Sequence, residues 1–493
     1  MCNKSSCTAE FKPGSLYQIK NIKMKIEQIY TGCLAQGAYY IISDNEALII
    51  DPLRETQPYI DRLERDKVTL KYIFETHFHA DFVSGHVDLS KKTNAPIVYG
   101  PTANPEFEAI IAKDNEFFKV GKIKIKVLHT PGHTMESSSF LLIDENGKEK
   151  ALFSGDTLFL GDVGRPDLAQ KAADMTQEEL AGLLYESLYQ KILPLDDDIT
   201  VYPAHGAGSA CGKNMQKETV DTLGNQKKTN YALNQKSKES FIKAVTEGLL
   251  PPPAYFGMNV TMNKKGYQSF DEVLSKGLHA FSPAEFEEIA EFSGALILDV
   301  RNNSEFAKGF VPQSVNIGLD GDFAPWVGAL IADVQQPILL ITDENNEEET
   351  VTRLSRVGFD TILGFLKGGF EAWKSSGKEF DTVNRISVQQ FETEIKNKNV
   401  KIIDVRKESE YEAEHVEEAY NKPLAYINKW ITHIDSKEHF YLHCAGGYRS
   451  MMAASILQAR GYRNFSEIEG GFNAIAKTNV SKTDFVCQSK IFK

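Results

Sequence analysis

Two stretches of the chain repeat each other, and that repeat restricts the fold more than any other feature. LILDVRNNSEF around Asp299 returns as KIIDVRKESEY around Asp404, and LKGGFEAW around Gly368 returns as IEGGFNAI around Gly470. Between these markers each copy carries an apolar strand (PILLITD, then HFYLHC) and a helical stretch ending in Gly-aromatic (RVGF, then ARGY). Strands alternating with helices at this spacing specify a small parallel-sheet α/β unit. Four markers kept in order place that unit in the chain twice, over about residues 270–378 and 385–480. A chain of 493 residues, at about 150 per domain, has room for one larger unit ahead of the pair.

That larger unit spans about residues 24–250. Its first part is rich in short β segments: KIEQIY, AYYIIS, EALIID, KYIFET, APIVYG, KIKIKVLHT, SSSFLLID and KALFSGD. Helices such as ADMTQEELAGLLYESLYQKIL come between and after them, which suits two packed sheets flanked by helices. Pro251, Pro252 and Pro253 stop the helix SFIKAVTEGLL, because proline cannot continue it. The following AYFGMNVTMNKKGY shows little periodicity and reads as a linker or interdomain strap. The formal charge of −13 excludes a basic nucleic-acid surface. Apolar runs such as Ala295 to Leu298 fall short of the ~18 residues that cross a bilayer, so no membrane segment is expected. The leader MCNKSSCTAEFKPGSLYQ lacks the apolar core of a secretory signal. Cys2, Cys7, Cys33, Cys211, Cys444 and Cys487 are too few and too scattered for a disulfide framework, so a cytoplasmic location is expected. Cys2 and Cys7 lie in a polar leader, and with only two sulfurs metal binding by that pair is the lesser of its readings.

The larger unit carries four polar clusters, each directly after an apolar strand. They are Thr76-His77-Phe78-His79-Ala80-Asp81, Pro131-Gly132-His133-Thr134, Ser154-Gly155-Asp156-Thr157 and Tyr202-Pro203-Ala204-His205-Gly206. Strand ends converge on one sheet edge, and imidazole with carboxylate is the donor set that first-row metals take. The ordered set HxHxD, PGHT, SGDT, PAHG resembles the metallo-β-lactamase superfamily, over about residues 24–210. That resemblance implies an αββα sandwich with metal at one edge. Hydrolytic members usually continue HxHxDH, and Phe82 stands at that last position here, which weakens a dinuclear site. The persulfide dioxygenase branch holds one Fe(II) per chain through residues that correspond to His77, His133 and Asp156. Two histidines and one carboxylate form the facial triad of non-heme Fe(II) oxygenases, which leaves positions for substrate and O₂. His79, Asp81 and His205 are then expected to hydrogen-bond the ligands or bound water. Arg165 resembles the family arginine that contacts an anionic thiol, its alternative being an ion pair with Asp167 or Asp162. Cys211 follows His205 closely and is either a buried inert thiol or a sulfur carrier at the same pocket.

In the second copy of the repeat, strand HFYLH runs into Cys444, then Ala445-Gly446-Gly447-Tyr448-Arg449-Ser450 and a helix. A short glycine loop between strand and helix turns successive N–H groups inward as an anion nest that favours a thiolate. Cys-x4-Arg-Ser, with DVR before it and GGF after, resembles a rhodanese sulfurtransferase, which implies that Cys444 accepts sulfane sulfur beside Arg449. The first copy has Thr342 or Asp343 at that position and an acidic loop, so it is expected to be inactive. The whole order resembles bacterial persulfide dioxygenase–rhodanese fusions: an α/β chain of one metallo-β-lactamase sandwich followed by two rhodanese-like domains. The resemblance implies sulfide detoxification, with a small thiol persulfide and O₂ as substrates, sulfite and thiosulfate as products, and a homo-oligomeric assembly. Two other readings are a glyoxalase II-type thioester hydrolase and a non-catalytic sulfur carrier or sensor.

Overall fold

The computed structural model describes residues 24–249, 251–396 and 400–486, so Cys2, Cys7 and Cys487 lie outside the described residues. Two six-stranded sheets come first. One holds, in spatial order, Lys25–Thr31, Gln36–Ser43, Glu46–Ile50, Thr69–Phe74, Ile97–Tyr99 and Ile110–Ile111. The other holds Asp221–Thr222, Thr200–Pro203, Glu149–Gly155, Ser138–Ile143, Ile123–His129 and Phe117–Val120. Alternation along the strands decides the layering. Tyr39, Ile41, Leu48, Ile50 and Phe74 face Val120, Ile125, Phe140 and Phe153 between the sheets. The intervening Ala38, Tyr40, Ile42 and Ile49 turn outward onto Tyr59 and Leu63 of helix Gln57–Asp66. On the opposite flank Leu141 and Leu152 pack under Ala181, Leu184 and Phe241. The result is the expected αββα sandwich.

The two later sheets are five-stranded, wholly parallel and identical in order. The first runs Ala280–Phe281, Ile362–Leu366, Ile338–Ile341, Leu296–Asp299, Val315–Asn316. The second runs Arg385–Ile386, Phe465–Ile468, Phe440–His443, Lys401–Asp404, Tyr420–Asn421. Ile338–Ile341 and Phe440–His443 are both central, so the residue in the position of Cys444 is Thr342, not Asp343.

One expectation is corrected. The segment after the three prolines is not a plain strap: Phe256–Lys265 is a ten-residue helix. It lacks an amphipathic pattern because it lies between domains and buries polar Asn259 and Asn263 alongside Phe256. Among the described residues no helix is long and apolar enough to cross a membrane.

Candidate metal centre and thiol loop

The strand ends of the sandwich bring the predicted donors together. His77, His133 and Asp156 are all buried, and one ligand atom from each lies within 4.8 Å of the others. His133 Nε2 is 3.3 Å and His77 Nε2 3.8 Å from Asp156 Oδ2. Tautomers are set from behind. The Arg165 carbonyl lies 2.8 Å from His133 Nδ1, so Nδ1–H donates to it and Nε2 is left as a lone-pair donor. His77 Nδ1 meets the Thr76 hydroxyl at 2.9 Å, and Thr76 in turn donates to Asp51 Oδ2 at 2.8 Å. His133 Nε2 and Asp156 Oδ2 are buried with no hydrogen-bond partner among the described residues. Buried polar atoms are as a rule paired, so two unpaired atoms 3.3 Å apart fit a cation, and His205 Nε2 and Asp81 Oδ1 nearby lack a hydrogen-bond partner as well. Gly164 is required here, because a Cβ would collide with the Asp156 carbonyl oxygen and lie 2.9 Å from His133 Nδ1.

Electrostatics agree with that arrangement. Burial alone would raise the Asp156 carboxyl, but His205, His77 and His133 outweigh it and hold the group ionised. Burial, then His79, drives His77 well below its ordinary value, so its imidazole is neutral. His205 sits between two carboxylates, with Nδ1 2.8 Å from Asp156 Oδ1 and Nε2 2.8 Å from Asp81 Oδ2. Burial opposes the charged form, but those carboxylates raise His205 well above its ordinary value. His79 turns elsewhere: its Nε2 is 3.1 Å from Asp51 and 3.5 Å from Glu75. The Phe82 ring, fully buried, lies 4.3 Å from that of His79. Sequence reasoning missed Asp51 and Glu75, although both carry the signal used for the ligands: an acid straight after the apolar runs EALII and KYIF.

Arg165 forms its ion pair with Asp167, at 2.6 and 2.7 Å, and gives a third bond to the Ala210 carbonyl. Asp162 instead accepts from the main-chain N–H groups of Lys213 and Asn214. Cys211 is buried, and a second group of possible metal donors joins it to Asp81 and His205. Burial, then Asp81 and Asp156, pushes its thiol well above the ordinary range, so it is protonated here.

Cys444 opens the turn after strand Phe440–His443. Its Sγ accepts from the Gly447 N–H at 3.1 Å and from the Ser450 hydroxyl at 3.4 Å. Arg449 gives two of its N–H donors to Glu410, at 2.5 and 2.8 Å. The hydroxyl of Tyr448, within the loop, donates to the Gly318 carbonyl of the first copy at 2.9 Å. Cys33, Cys211 and Cys444 are all free thiols.

Comparison with known proteins agrees with the order of the domains. The family profile for the metallo-beta-lactamase superfamily matches residues 31–205, and that for the rhodanese-like domain matches 282–376 and again 387–478. A hydroxyacylglutathione hydrolase from Francisella tularensis subsp. novicida (strain U112) is 34% identical over 184 residues, which are 37% of this chain and 68% of that protein. A solved metallo-beta-lactamase from Staphylococcus aureus subsp. aureus COL is 33% identical, with a TM-score of 0.63, covering 70% of this chain and 99% of its own. ETHE1 from Myxococcus xanthus is 27% identical with a TM-score of 0.42, covering 49% of this chain and 98% of its own.

Proposed function

The chain belongs to the metallo-beta-lactamase superfamily and carries two rhodanese-like domains behind that fold, and on this footing we propose a persulfide dioxygenase joined to a sulfurtransferase. The observation that carries the reading is the convergence of His77, His133 and Asp156 beside a buried Phe82. Those three residues would hold one Fe(II), and bound iron would supply the activation of O₂ for oxidising a persulfide sulfur. The net reaction is RSSH + O₂ + H₂O → RSH + SO₃²⁻ + 2 H⁺, with the terminal sulfur oxidised and O₂ reduced. His205 fixes Asp156 through Nδ1 and is itself fixed by Asp81. On this reading it orients a ligand through Nδ1 rather than acting as one. Arg165 serves the centre through its carbonyl on His133, while its guanidinium is paired with Asp167.

At the second centre Cys444 would carry sulfane sulfur, its Sγ lying among donors from Gly447 and Ser450. Sulfite attacks the outer sulfur of a Cys444 persulfide, the S–S bond breaks, and thiosulfate leaves as the Cys444 thiolate re-forms. Thr342 cannot form a persulfide, so the first copy takes no part in transfer.

The test is metal analysis with O₂ uptake on the purified protein given a thiol persulfide. One iron per chain and persulfide-dependent uptake are expected. His77→Ala, His133→Ala and Asp156→Ala should each lose the iron and the uptake, whereas His205→Ala should retain much of the iron. Loss of all iron from His205→Ala would overturn the ligand set. The second reading is a thioester hydrolase, favoured by the name of the Francisella relative and by the Asp81, His205 and Cys211 group. Two metals per chain with hydrolysis of an acylated thiol would select it.

A further inference from the structure

The loop that follows the metal motif is held from outside its own domain. Asn263, almost wholly buried, lies on the helix Phe256–Lys265 and spends its whole amide on that loop. Its Nδ2 donates to the carbonyls of His79 and Phe82, both at 2.8 Å, and its Oδ1 accepts from the Ser84 N–H at 2.9 Å. The Val83 N–H between them donates to the carbonyl of Arg356, in the first rhodanese-like domain, at 2.7 Å. Tyr267, just past the helix, donates its hydroxyl to the Ser84 carbonyl. Two ion pairs, Arg54 with Asp360 at 2.8 Å and Arg356 with Glu55, tie the same surfaces together. Tyr255 fills the space over Gly328 of the rhodanese-like domain, where any Cβ would collide with its ring.

The loop matters because Asp81 lies inside it. Asp81 holds His205 and His205 holds Asp156, each at 2.8 Å. A shift of the loop main chain therefore reaches the Asp156 carboxylate through one ion pair and one hydrogen bond. We infer that Asn263 is a positioning residue for the metal centre, and that the linker helix and the rhodanese-like domain without a cysteine are the support of that centre. The inference rests on the ligand set proposed above. It gives the first rhodanese-like domain a task that needs no nucleophile.

Asn259 supplies the control. It lies one turn earlier on the same helix and is equally buried, but it packs toward Gly358 and makes no hydrogen bond to the metal loop among the described residues. The experiment uses the full-length chain and compares Asn263→Ala, Asn263→Asp and Asn259→Ala. Asn263→Asp is isosteric, keeps the acceptor for Ser84 and sets a carboxylate oxygen against two carbonyls, so it carries the test if Asn263→Ala does not fold. The readouts are iron affinity by chelator competition, the electron paramagnetic resonance spectrum of the nitrosyl adduct, and melting of the metal-free protein. Both Asn263 variants should bind iron about 10- to 100-fold more weakly, with an altered spectrum. Asn259→Ala should leave affinity and spectrum as in wild type. Wild-type affinity and spectrum in a folded Asn263 variant would overturn the inference, as would an Asn259→Ala variant that loses iron equally. A wild-type protein that takes up no iron would instead remove the proposed function. Affinity and d–d spectra with Co²⁺ would then decide the role of Asn263 by the same comparison.

Discussion

Arg406 is locked on two sides: it takes Asp404 through two nitrogens, at 2.6 to 3.0 Å, and lies 4.0 Å over the Phe472 ring. Arg301 repeats this with Asp299 and with Phe370 at 4.5 Å. The DVR and GGF markers are thus one structural clasp, which explains their presence in a copy that lacks the nucleophile. What differs between copies, Thr342 against Cys444, is where chemistry can differ. A buried histidine outside the metal ligands gives a pH prediction. His86 faces Glu75, Tyr99 and Tyr267, with His79 and Arg54 near, and burial followed by His79 pushes it from 6.5 to about 3. Below pH 6.5 the unfolded chain gains a proton there that the fold does not, so stability falls as pH falls from 6.5 to about 3. Between pH 7 and 5 this group should cost about 2 kcal/mol. Urea melts of the metal-free protein should show His86→Gln losing that much less over the interval. The donors themselves were legible because each follows an apolar strand. Asn263 was not, because its partners are main-chain groups some 180 positions away, and no local pattern marks such a contact.

The GGF turn packs directly on the thiol loop, and this explains the glycine pair. The N–H groups of Phe472 and Asn473 donate to the carbonyls of Cys444 and Ala445 at 2.7 and 2.9 Å. Gly471 sits at φ +54°, where a Cβ would collide with the Cys444 carbonyl oxygen. Gly369 holds the same place over Thr342 in the first copy, at φ +57°. Gly471→Ala should therefore displace the Cys444 loop and lower sulfur transfer from thiosulfate to a thiol by at least about 10-fold, a change of roughly 1.4 kcal/mol or more in the barrier. Iron-dependent O₂ uptake should persist. Gly369→Ala should lower the melting temperature without touching transfer. Equal transfer loss in both variants would place the effect in domain packing instead. Short edge strands such as Val315–Asn316 and Tyr420–Asn421 carry no apolar run, whereas the longer strands were readable because their apolar runs are local. The helix Phe256–Lys265 was not, because polar Asn259 and Asn263 are buried where apolar side chains are expected, and that choice is set by neighbouring domains.

The first rhodanese-like domain lies between the two chemical centres. On one side its Arg356 and Asp360 hold the metal domain; on the other its Gly318 carbonyl takes the Tyr448 hydroxyl from the thiol loop. Its Asn316 N–H also donates to Ser455 Oγ, in the helix behind Cys444, at 2.9 Å. The order of the three domains was plain in the sequence, but this bridging was not, since its partners lie far apart in the chain and no local pattern marks them. On the proposed reading, sulfite formed at the metal centre meets a Cys444 persulfide and leaves as thiosulfate. Cys444→Ser should end sulfur transfer, because a hydroxyl carries no stable persulfide. Persulfide-dependent O₂ uptake should stay near wild type, because no ligand is lost. Product should then shift from thiosulfate to sulfite, as ion chromatography would resolve. Thr342→Cys added to Cys444→Ser should not restore thiosulfate. The residue five past Thr342 is Glu347, where Arg449 stands in the active copy, and the intervening Asp343 and Glu344 would repel a sulfur anion. Equal thiosulfate yields from wild type and Cys444→Ser would show that the two centres work without coupling, even with both activities intact.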